Sequence, residues 1–209
     1  ELILGAVPTT LTGLGPLALC ELKKRHPGIR VRIVPGLSNQ LLSEIDRGQI
    51  HAAVISRPDR LSRSMLFSRL AKEVLVLLVS ENTEDLAPAE LLRSRPFIRF
   101  NRDAVVGKQI ETWLQNNGIS VNDAMELEGL EAISSMVAAE LGISIVPQRC
   151  IRESDRLPLK TQALGDNSPS RVLGLASRKD TPRAGLVNAA EAALLEAVSI
   201  GEFTIKSSR

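Results

Sequence analysis

The sequence is poor in the side chains that most often carry out acid–base chemistry or stack on ring-shaped ligands. Its 209 residues include no tyrosine, one tryptophan, four phenylalanines, two histidines and two cysteines. General acid–base catalysis uses histidine most often, so an enzyme built on this chain has few groups to work with. The scarcity of aromatic residues argues against a pocket that depends on stacking and favours a compact polar ligand.

The short motifs of catalytic and nucleotide-binding proteins are missing as well. The sequence has no P-loop, no Gly-x-Gly-x-x-Gly, no nucleophile elbow and no zinc-ligand spacing. His26 stands in the basic stretch KKRHPG at a predicted helix end, where it is expected to interact with terminal carbonyls. We therefore expect no catalytic residue, no cofactor and no metal site.

The two cysteines, Cys20 and Cys150, are too few for a disulfide framework. Both stand in apolar surroundings, which predicts buried thiols in a reducing compartment; a redox pair is the alternative, and the sequence gives no distance between them. No apolar run reaches the roughly 18 residues that a membrane span needs. The opening ELILGAVPTT has neither Met nor a secretory signal, so we expect a fragment or processed product of a cytoplasmic protein.

Charge is distributed unevenly although the net charge is only +2, which is too small to suggest that these residues bind nucleic acid. Residues 1–78 carry a net charge of +5, residues 79–165 carry −4 and residues 166–209 carry +1. This pattern fits two lobes of opposite sign better than one uniform domain.

Strand-like and helix-like stretches alternate along most of the chain, which predicts an α/β fold with parallel sheets. The predicted strands are residues 2–7, 29–34, 52–56, 74–79, 97–100, 124–127, 143–146 and 172–177. Helices are predicted around residues 14–22 and at 37–47, 106–117, 131–141 and 186–198, with Gly48, Gly118 and Gly142 as helix stops.

Two stretches predict crossings between the lobes. The chain turns from apolar to acidic near residues 78–84, and Gly, Pro and Ser cluster in residues 163–172. We predict two Rossmann-like subdomains joined by two crossover segments that act as a hinge. The first subdomain comprises residues 1–78 with 166–209, and the second comprises residues 79–165.

Hydroxyl side chains stand where the first two predicted strands give way to helices. Thr9 and Thr10 follow the first strand and Ser38 follows the second. In open α/β sheets ligands bind beyond the carboxyl ends of the strands, and amides at a helix start suit a carboxylate. Simple helix capping is the alternative, and it is compatible with ligand contact. Ser56 ends the third strand, just before Arg57, for which a solvated role is expected.

Further candidates lie in the second predicted subdomain. Arg99 belongs to the apolar strand PFIRF, so its guanidinium needs a partner; a carboxylate ligand in a cleft between the lobes and an internal Asp or Glu are both open. Glu128 and Gly129 precede a helix, at the position equivalent to the threonine turn, and Glu128 either contacts ligand or neutralises Arg99. Pro147 is expected to shape a turn at the cleft or hinge.

The stretch GAVPTTLTGLGPLALCELKKRHPGIRVRIVPGLSNQLLSEIDRGQIHAAVISRP, together with MVAAELGISIVP (136–147), resembles the effector-binding domain of LysR-type transcriptional regulators. The positions that match the family's motifs are Gly5, Pro8, Thr9, Pro27, Val31, Gly36, Ser38, Leu41 and Gly48. Two positions depart from the pattern: His51 stands where the family usually has Asp, and Glu140 stands where Gly is common.

The resemblance implies a fold like that of the type II periplasmic binding proteins and a small, anionic effector bound between the lobes. The family's N-terminal winged helix-turn-helix, which binds DNA, is absent from this sequence. A solute-binding protein of a transport system, which has a similar two-lobed fold, is the alternative.

Assembly into an antiparallel homodimer is also predicted, with a tetramer for the full-length regulator. The basic lobe of one copy would face the acidic lobe of the other. The helix around Leu19 and Cys20 would meet the helix that carries Trp113.

Overall fold

A computed structural model of the chain describes residues 1–148 and 157–201. Its strands are β1 (Leu2–Ala6), β2 (Val31–Pro35), β3 (Ala52–Ser56), β4 (Met65–Ser80), β5 (Pro96–Phe100), β6 (Asn122–Leu127), β7 (Ser144–Pro147), β8 (Leu159–Ala163) and β9 (Ser170–Arg178). Its helices are α1 (Leu14–Arg25), α2 (Ser38–Asp46), α3 (Pro88–Ser94), α4 (Val105–Asn116), α5 (Leu130–Ala138) and α6 (Ala184–Ile200), and a 3-10 turn spans Pro8–Thr10. Cys150 lies outside the described residues.

The described residues divide into two compact units. The first unit contains residues 1–73 and 172–201, and the second contains residues 74–148 and 157–171. Both boundaries fall inside continuous strands, β4 and β9, and therefore differ from the predicted boundaries at 78/79 and 165/166. A strand that runs unbroken from one unit into the next shows no change of composition where the units divide.

The first unit has a sheet covered on both faces. Strand β1 pairs in parallel with β2 on one side and with β3 on the other, and β9 pairs antiparallel with β3. Neighbouring β3 side chains point to opposite faces: Val54 packs with α1 and α6, whereas Ile55 packs with α2. Burial of each large aliphatic side chain in these layers contributes about 1.5–3 kcal/mol.

The second unit is built around one continuous apolar core. The second half of β4 pairs antiparallel with β7 and β8, and β5 pairs in parallel with β6. Helices α3, α4 and α5 contribute Leu91, Leu92, Ile110 and Ile133 to this core. Trp113 belongs to it as well, with 8% of its surface exposed.

The α/β class is confirmed, and the predicted parallel pairing holds for β1 with β2 and β3 and for β5 with β6, but not for every strand. Strands β4, β7, β8 and β9 pair antiparallel with their neighbours. The predicted strand 74–79 is only the second half of β4, because Arg69, Lys72 and other exposed residues interrupt the apolar pattern of its first half. Strand β8, with the sequence LKTQA, and the seven-residue helix α3 were not predicted, because neither has an apolar run.

The predicted burial of Cys20 is wrong. Cys20 is exposed on α1, because its position lies off the stripe formed by Leu14, Ala18 and Leu22 that packs on the sheet. Trp113 packs in the apolar core of the second unit, and the contact of its helix with the helix around Leu19 and Cys20 of another copy stays a prediction.

The end of α5 also differs from the prediction. The helix stops at Ala138, and Glu140, not Gly142, adopts a left-handed backbone with φ 60°. Gly142 is required for close approach, since a Cβ at this position would lie 2.6 Å from the carbonyl oxygen of Pro96.

Candidate functional site

The carboxyl ends of three parallel strands define one edge of the first unit. Strand β1 leads into the 3-10 turn, β2 leads into α2, and β3 ends at Ser56. Backbone hydrogen bonds extend the pairing beyond the strands, from the Val7 amide to the Val54 carbonyl (3.0 Å) and from the Gly36 amide to the Ala6 carbonyl (3.2 Å). The topology thus brings Thr9, Thr10, Ser38 and Ser56 to one edge, which we call the hydroxyl edge.

The two threonines of the hydroxyl edge lie in the 3-10 turn and do not cap α1. Thr10 is 3% exposed, and its Oγ1 donates a 2.8 Å hydrogen bond to the Val7 carbonyl, while Thr9 is half-buried beside it. The N-cap position of α1 is Gly13, which has no side chain to offer. The capping alternative for these threonines is therefore wrong, because three residues separate the turn from the helix.

The two serines of the hydroxyl edge are almost fully buried. Ser38 is 4% exposed and is the first residue of α2, so it does not cap that helix as predicted. The N-cap is Leu37, whose amide donates to Oε1 of Gln40 at 3.0 Å. Ser56 is 3% exposed at the end of β3. Arg57 is exposed, as predicted, and its guanidinium lies 5.7 Å from the centre of the Phe67 ring.

The second unit places three candidates at the carboxyl ends of its own strands. Glu128, which is exposed, and Gly129 follow β6, and Pro147 is the buried last residue of β7. Gly129 is the N-cap of α5 with φ 89°, a conformation that side chains other than glycine's adopt only with strain. The backbone conformation therefore accounts for glycine at position 129 whether or not this residue contacts a ligand.

Arg99 has internal partners. Its Nη1 lies 2.6 Å from Oε2 of Glu111, its Nε donates to Oδ1 of Asp123 at 2.9 Å, and its guanidinium lies over the Phe97 ring at 5.5 Å. Only 8% of the Arg99 side chain is exposed. Of the two kinds of partner that the sequence left open, the structure shows the internal carboxylates, and Glu128 is not among them.

The pairs of Arg99 belong to a larger network. Arg102 shares Asp123 with Arg99, at 2.7 Å from Oδ2, and contacts Glu126 at 2.6 Å. Two guanidinium groups thus alternate with three carboxylates across β5, the turn that follows it, β6 and α4. Which carboxylates pair with Arg99 could not be predicted from the sequence, since this depends on the parallel register that places Phe97 opposite Asp123.

His51 has a structural role at the start of β3. Its Nδ1 accepts a 2.9 Å hydrogen bond from the Ile3 amide, which requires an unprotonated nitrogen. Burial lowers the pKa of His51, and the positive charge of Arg183 acts in the same direction. Because the imidazole lies beside the first residues of β1 rather than its carboxyl end, it is not part of the hydroxyl edge.

The described part of the chain contains no candidate for a metal site or a membrane-spanning helix. Within residues 1–148 and 157–201, no group of three or more His, Cys, Asp or Glu side chains is placed to hold a metal ion. Over the same ranges, every helix is too short or too polar to cross a lipid bilayer.

Comparison with other sequences gives a match along nearly the whole chain. Residues 1–199 match the family model described as the LysR substrate binding domain. The HTH-type transcriptional regulator CzcR of Bacillus subtilis (strain 168) is 28% identical over 137 residues, which are 65% of this chain and 46% of CzcR. The hydrogen peroxide-inducible genes activator of Haemophilus influenzae is 23% identical over 184 residues, covering 86% and 61% of the two chains. The chain spans about half the length of the curated relatives it matches.

Solved structures share the fold. The effector binding domain of QuiR in complex with shikimate matches with a TM-score of 0.80 at 20% identity, over 93% of this chain and 95% of that one. The reduced form of OxyR from N. meningitidis matches with a TM-score of 0.79 at 20% identity, over 94% of each chain. These matches confirm the predicted fold, that of the type II periplasmic binding proteins.

Proposed function

The chain belongs to the family of LysR substrate binding domains, and on this premise we propose that it is the effector-sensing part of a transcriptional regulator. In this proposal a small molecule binds at the hydroxyl edge and changes how the copies of the full-length regulator are arranged. The molecule shifts that arrangement only by the difference between its affinities for the two states.

The observation that carries the proposal is the convergence of Thr9, Thr10, Ser38 and Ser56 on one edge. Hydroxyl groups both donate and accept hydrogen bonds, so this edge suits an oxygen-rich ligand. Helices α1 and α2 begin near it, and the amino-terminal ends of helices carry a partial positive charge. Together with the net charge of +5 in residues 1–78, these features favour a small anion.

The remaining candidates contribute unequally to this proposal. Glu128, Gly129 and Pro147 stay predicted contacts of the effector. Arg99 is left out, because Glu111 and Asp123 already neutralise its charge. The complex of the QuiR effector binding domain with shikimate supports a small-molecule ligand for a domain of this fold.

The full-length protein is proposed to work as a cytoplasmic homodimer, or as a tetramer, that binds DNA through an N-terminal winged helix-turn-helix. The CzcR relatives are named as HTH-type regulators and are about twice as long as their matched part, which supports this arrangement. The predicted pairing of a basic with an acidic lobe stays a proposal. Sedimentation that shows a strict monomer at micromolar concentration would contradict the dimer.

Two other functions have less support. The transport alternative has none from the family model or the relatives, which are transcriptional regulators. We also propose that the chain catalyses no reaction, in keeping with its few acid–base side chains. An assay for turnover of the identified effector tests this directly.

A thermal-shift screen of small carboxylates tests the sensor proposal. An effector should raise the melting temperature as its concentration exceeds Kd, with a stabilisation of about 2.7 kcal/mol at one hundred times Kd. Thr9→Ala should remove most of this rise. Thr112→Ala is the matched control, since Thr112 is exposed on α4 and its hydroxyl donates to the Lys108 carbonyl of the same helix. Equal rises in both variants would exclude the hydroxyl edge.

A further inference from the structure

The first unit contains an apolar cavity that shares one residue, Thr10, with the hydroxyl edge and is otherwise lined by different residues. Its volume is about 220 Å³, and all the residues that line it belong to the first unit. The floor is formed by deeply buried side chains of α1, β1 and α6, including Leu14, Leu22, Ala193 and Leu194. The cavity is open to solvent on one side, and its floor exposes aliphatic side chains that neighbouring side chains would cover in a close-packed interior.

The chemistry of the lining restricts what can fill the cavity. Its walls are almost entirely aliphatic. Thr10 is the only lining residue with a polar side chain, and its hydroxyl proton is already donated to the Val7 carbonyl. A charged or strongly polar ligand would lose its hydration without gaining hydrogen bonds, and water needs two to four polar partners to occupy such a space.

Access comes from the side where α1 faces β2. Pro16 is exposed, and Leu11, Leu19 and Ile33 are half-buried, so these residues form the rim while the floor lies beneath them. An engineered cavity of about 150 Å³ lined by similar side chains binds benzene. The cavity in this chain is larger by roughly one half.

We propose that this cavity is a second binding site, which takes a small uncharged apolar molecule or apolar group, such as a one-ring or two-ring aromatic hydrocarbon. The inference does not depend on the proposed function, because the lining and the volume alone carry it. Ligand binding would replace empty space with van der Waals contacts to the leucine and alanine side chains.

Nuclear magnetic resonance of the unmodified chain tests the site directly, with benzene and indole as probes. Intermolecular NOEs should connect each probe to the methyl groups of Leu14, Leu22 and Leu194. Benzoate, which has the same ring and a negative charge, should give no NOE to these methyl groups. An absence of NOEs from both uncharged probes, or NOEs from benzoate as strong as those from benzene, would overturn the proposal.

Two variants of α6 provide a matched pair. Ala193→Met places a longer side chain in the cavity and should abolish both the NOEs and the rise in melting temperature that indole causes. Ala192→Met makes the same change at the adjacent exposed residue and should preserve both. If both variants still bind the probes, the proposed location of the site is wrong. If Ala193→Met does not fold, the NOEs in the unmodified chain decide.

The competing explanation is that a second copy of the chain covers the opening. In that case Leu19→Glu would convert a dimer into a monomer, and neither probe would bind to the unmodified chain. That combined result would overturn the ligand site and assign the rim to an interface between copies.

Discussion

The side-chain amide of Asn82 donates a 2.9 Å hydrogen bond to Oε1 of Glu140, a residue whose backbone is left-handed with φ 60°. A side chain other than glycine's in this conformation costs roughly 1–2 kcal/mol, so Glu140 combines a strained backbone with a favourable contact. We expect Glu140→Ala to keep the strain and lose the contact, whereas Glu140→Gly loses the contact but relieves the strain. The glycine variant should therefore be more stable than the alanine variant by about 1 kcal/mol, as measured by chemical denaturation.

Asn82→Ala serves as the control for this comparison. It should lower the free energy of unfolding by about 1 kcal/mol in the unmodified chain and by much less in either Glu140 variant. Equal stability of Glu140→Ala and Glu140→Gly would show that the left-handed backbone carries no strain at this position. The family resemblance, in which glycine is common here, agrees with the expected direction.

The Arg99 network predicts an effect on stability and none on effector binding. Arg99→Ala leaves Glu111 and Asp123 without their buried partner, but both carboxylates are more than one-third exposed and regain some hydration. We expect the free energy of unfolding to fall by about 1–3 kcal/mol. Any carboxylate that raises the melting temperature of the unmodified chain should raise that of Arg99→Ala by a similar amount. Loss of that rise, with stability unchanged, would return Arg99 to the effector site.

Within the same network, Asp123 should matter more than Glu111. Asp123 accepts from both Arg99 and Arg102, whereas Glu111 pairs with Arg99. Asp123→Asn is therefore expected to destabilise the chain more than Glu111→Gln does, and a double-mutant cycle with Arg102→Ala should give a coupling energy for Asp123 but not for Glu111. Equal costs for the two variants would contradict the shared role of Asp123.

The hydroxyl edge could be predicted from the sequence because it depends on connectivity alone. Parallel strands end at the same side of a sheet. Thr9, Ser38 and Ser56 therefore lie at the same edge, regardless of how the side chains along the strands pack. The partners of Arg99 could not be predicted in the same way. They depend on the register of β5 against β6, which is irregular between Phe97 and Ile98.

Other features escaped sequence reasoning for equally physical reasons. Strand β8 is half-exposed and polar, so it lacks the apolar alternation that marks a strand. The exposure of Cys20 depends on which side of α1 faces the sheet and α6. Leucines and alanines lie all around this helix, so the sequence alone does not show which side is buried. The apolar cavity arises from the fit of α1 against α6, which no local pattern encodes.

A pH dependence of stability is expected from His51. Because burial lowers its pKa in the folded chain relative to the ordinary value of 6.5, the unfolded chain binds a proton more readily than the folded one. The stabilisation is therefore fully present above about pH 6.5 and is lost progressively as the pH falls towards the lower folded pKa. His51→Asn keeps an acceptor for the Ile3 amide without titrating, so denaturation curves at about pH 7.5 and pH 5.5 should show a larger loss in the unmodified chain than in the variant. Parallel pH profiles would contradict the prediction.

Two glycines in the first turns of helices predict opposite responses to the same substitution. At Gly107 in α4, a Cβ would lie 1.9 Å from the carbonyl oxygen of Asn101, a backbone atom that cannot rotate away. At Gly185 in α6, an added Cβ meets nothing within 4 Å. Gly107→Ala should lower the free energy of unfolding by about 3 kcal/mol or prevent folding, because α4 must move away from the turn that precedes it. Gly185→Ala should raise it by about 0.5–1 kcal/mol, because alanine loses less conformational entropy than glycine when a helix forms. Chemical denaturation of the two variants separates the effect of close packing on stability from the effect of helix propensity. A lower free energy of unfolding in both variants would contradict the open surroundings of Gly185.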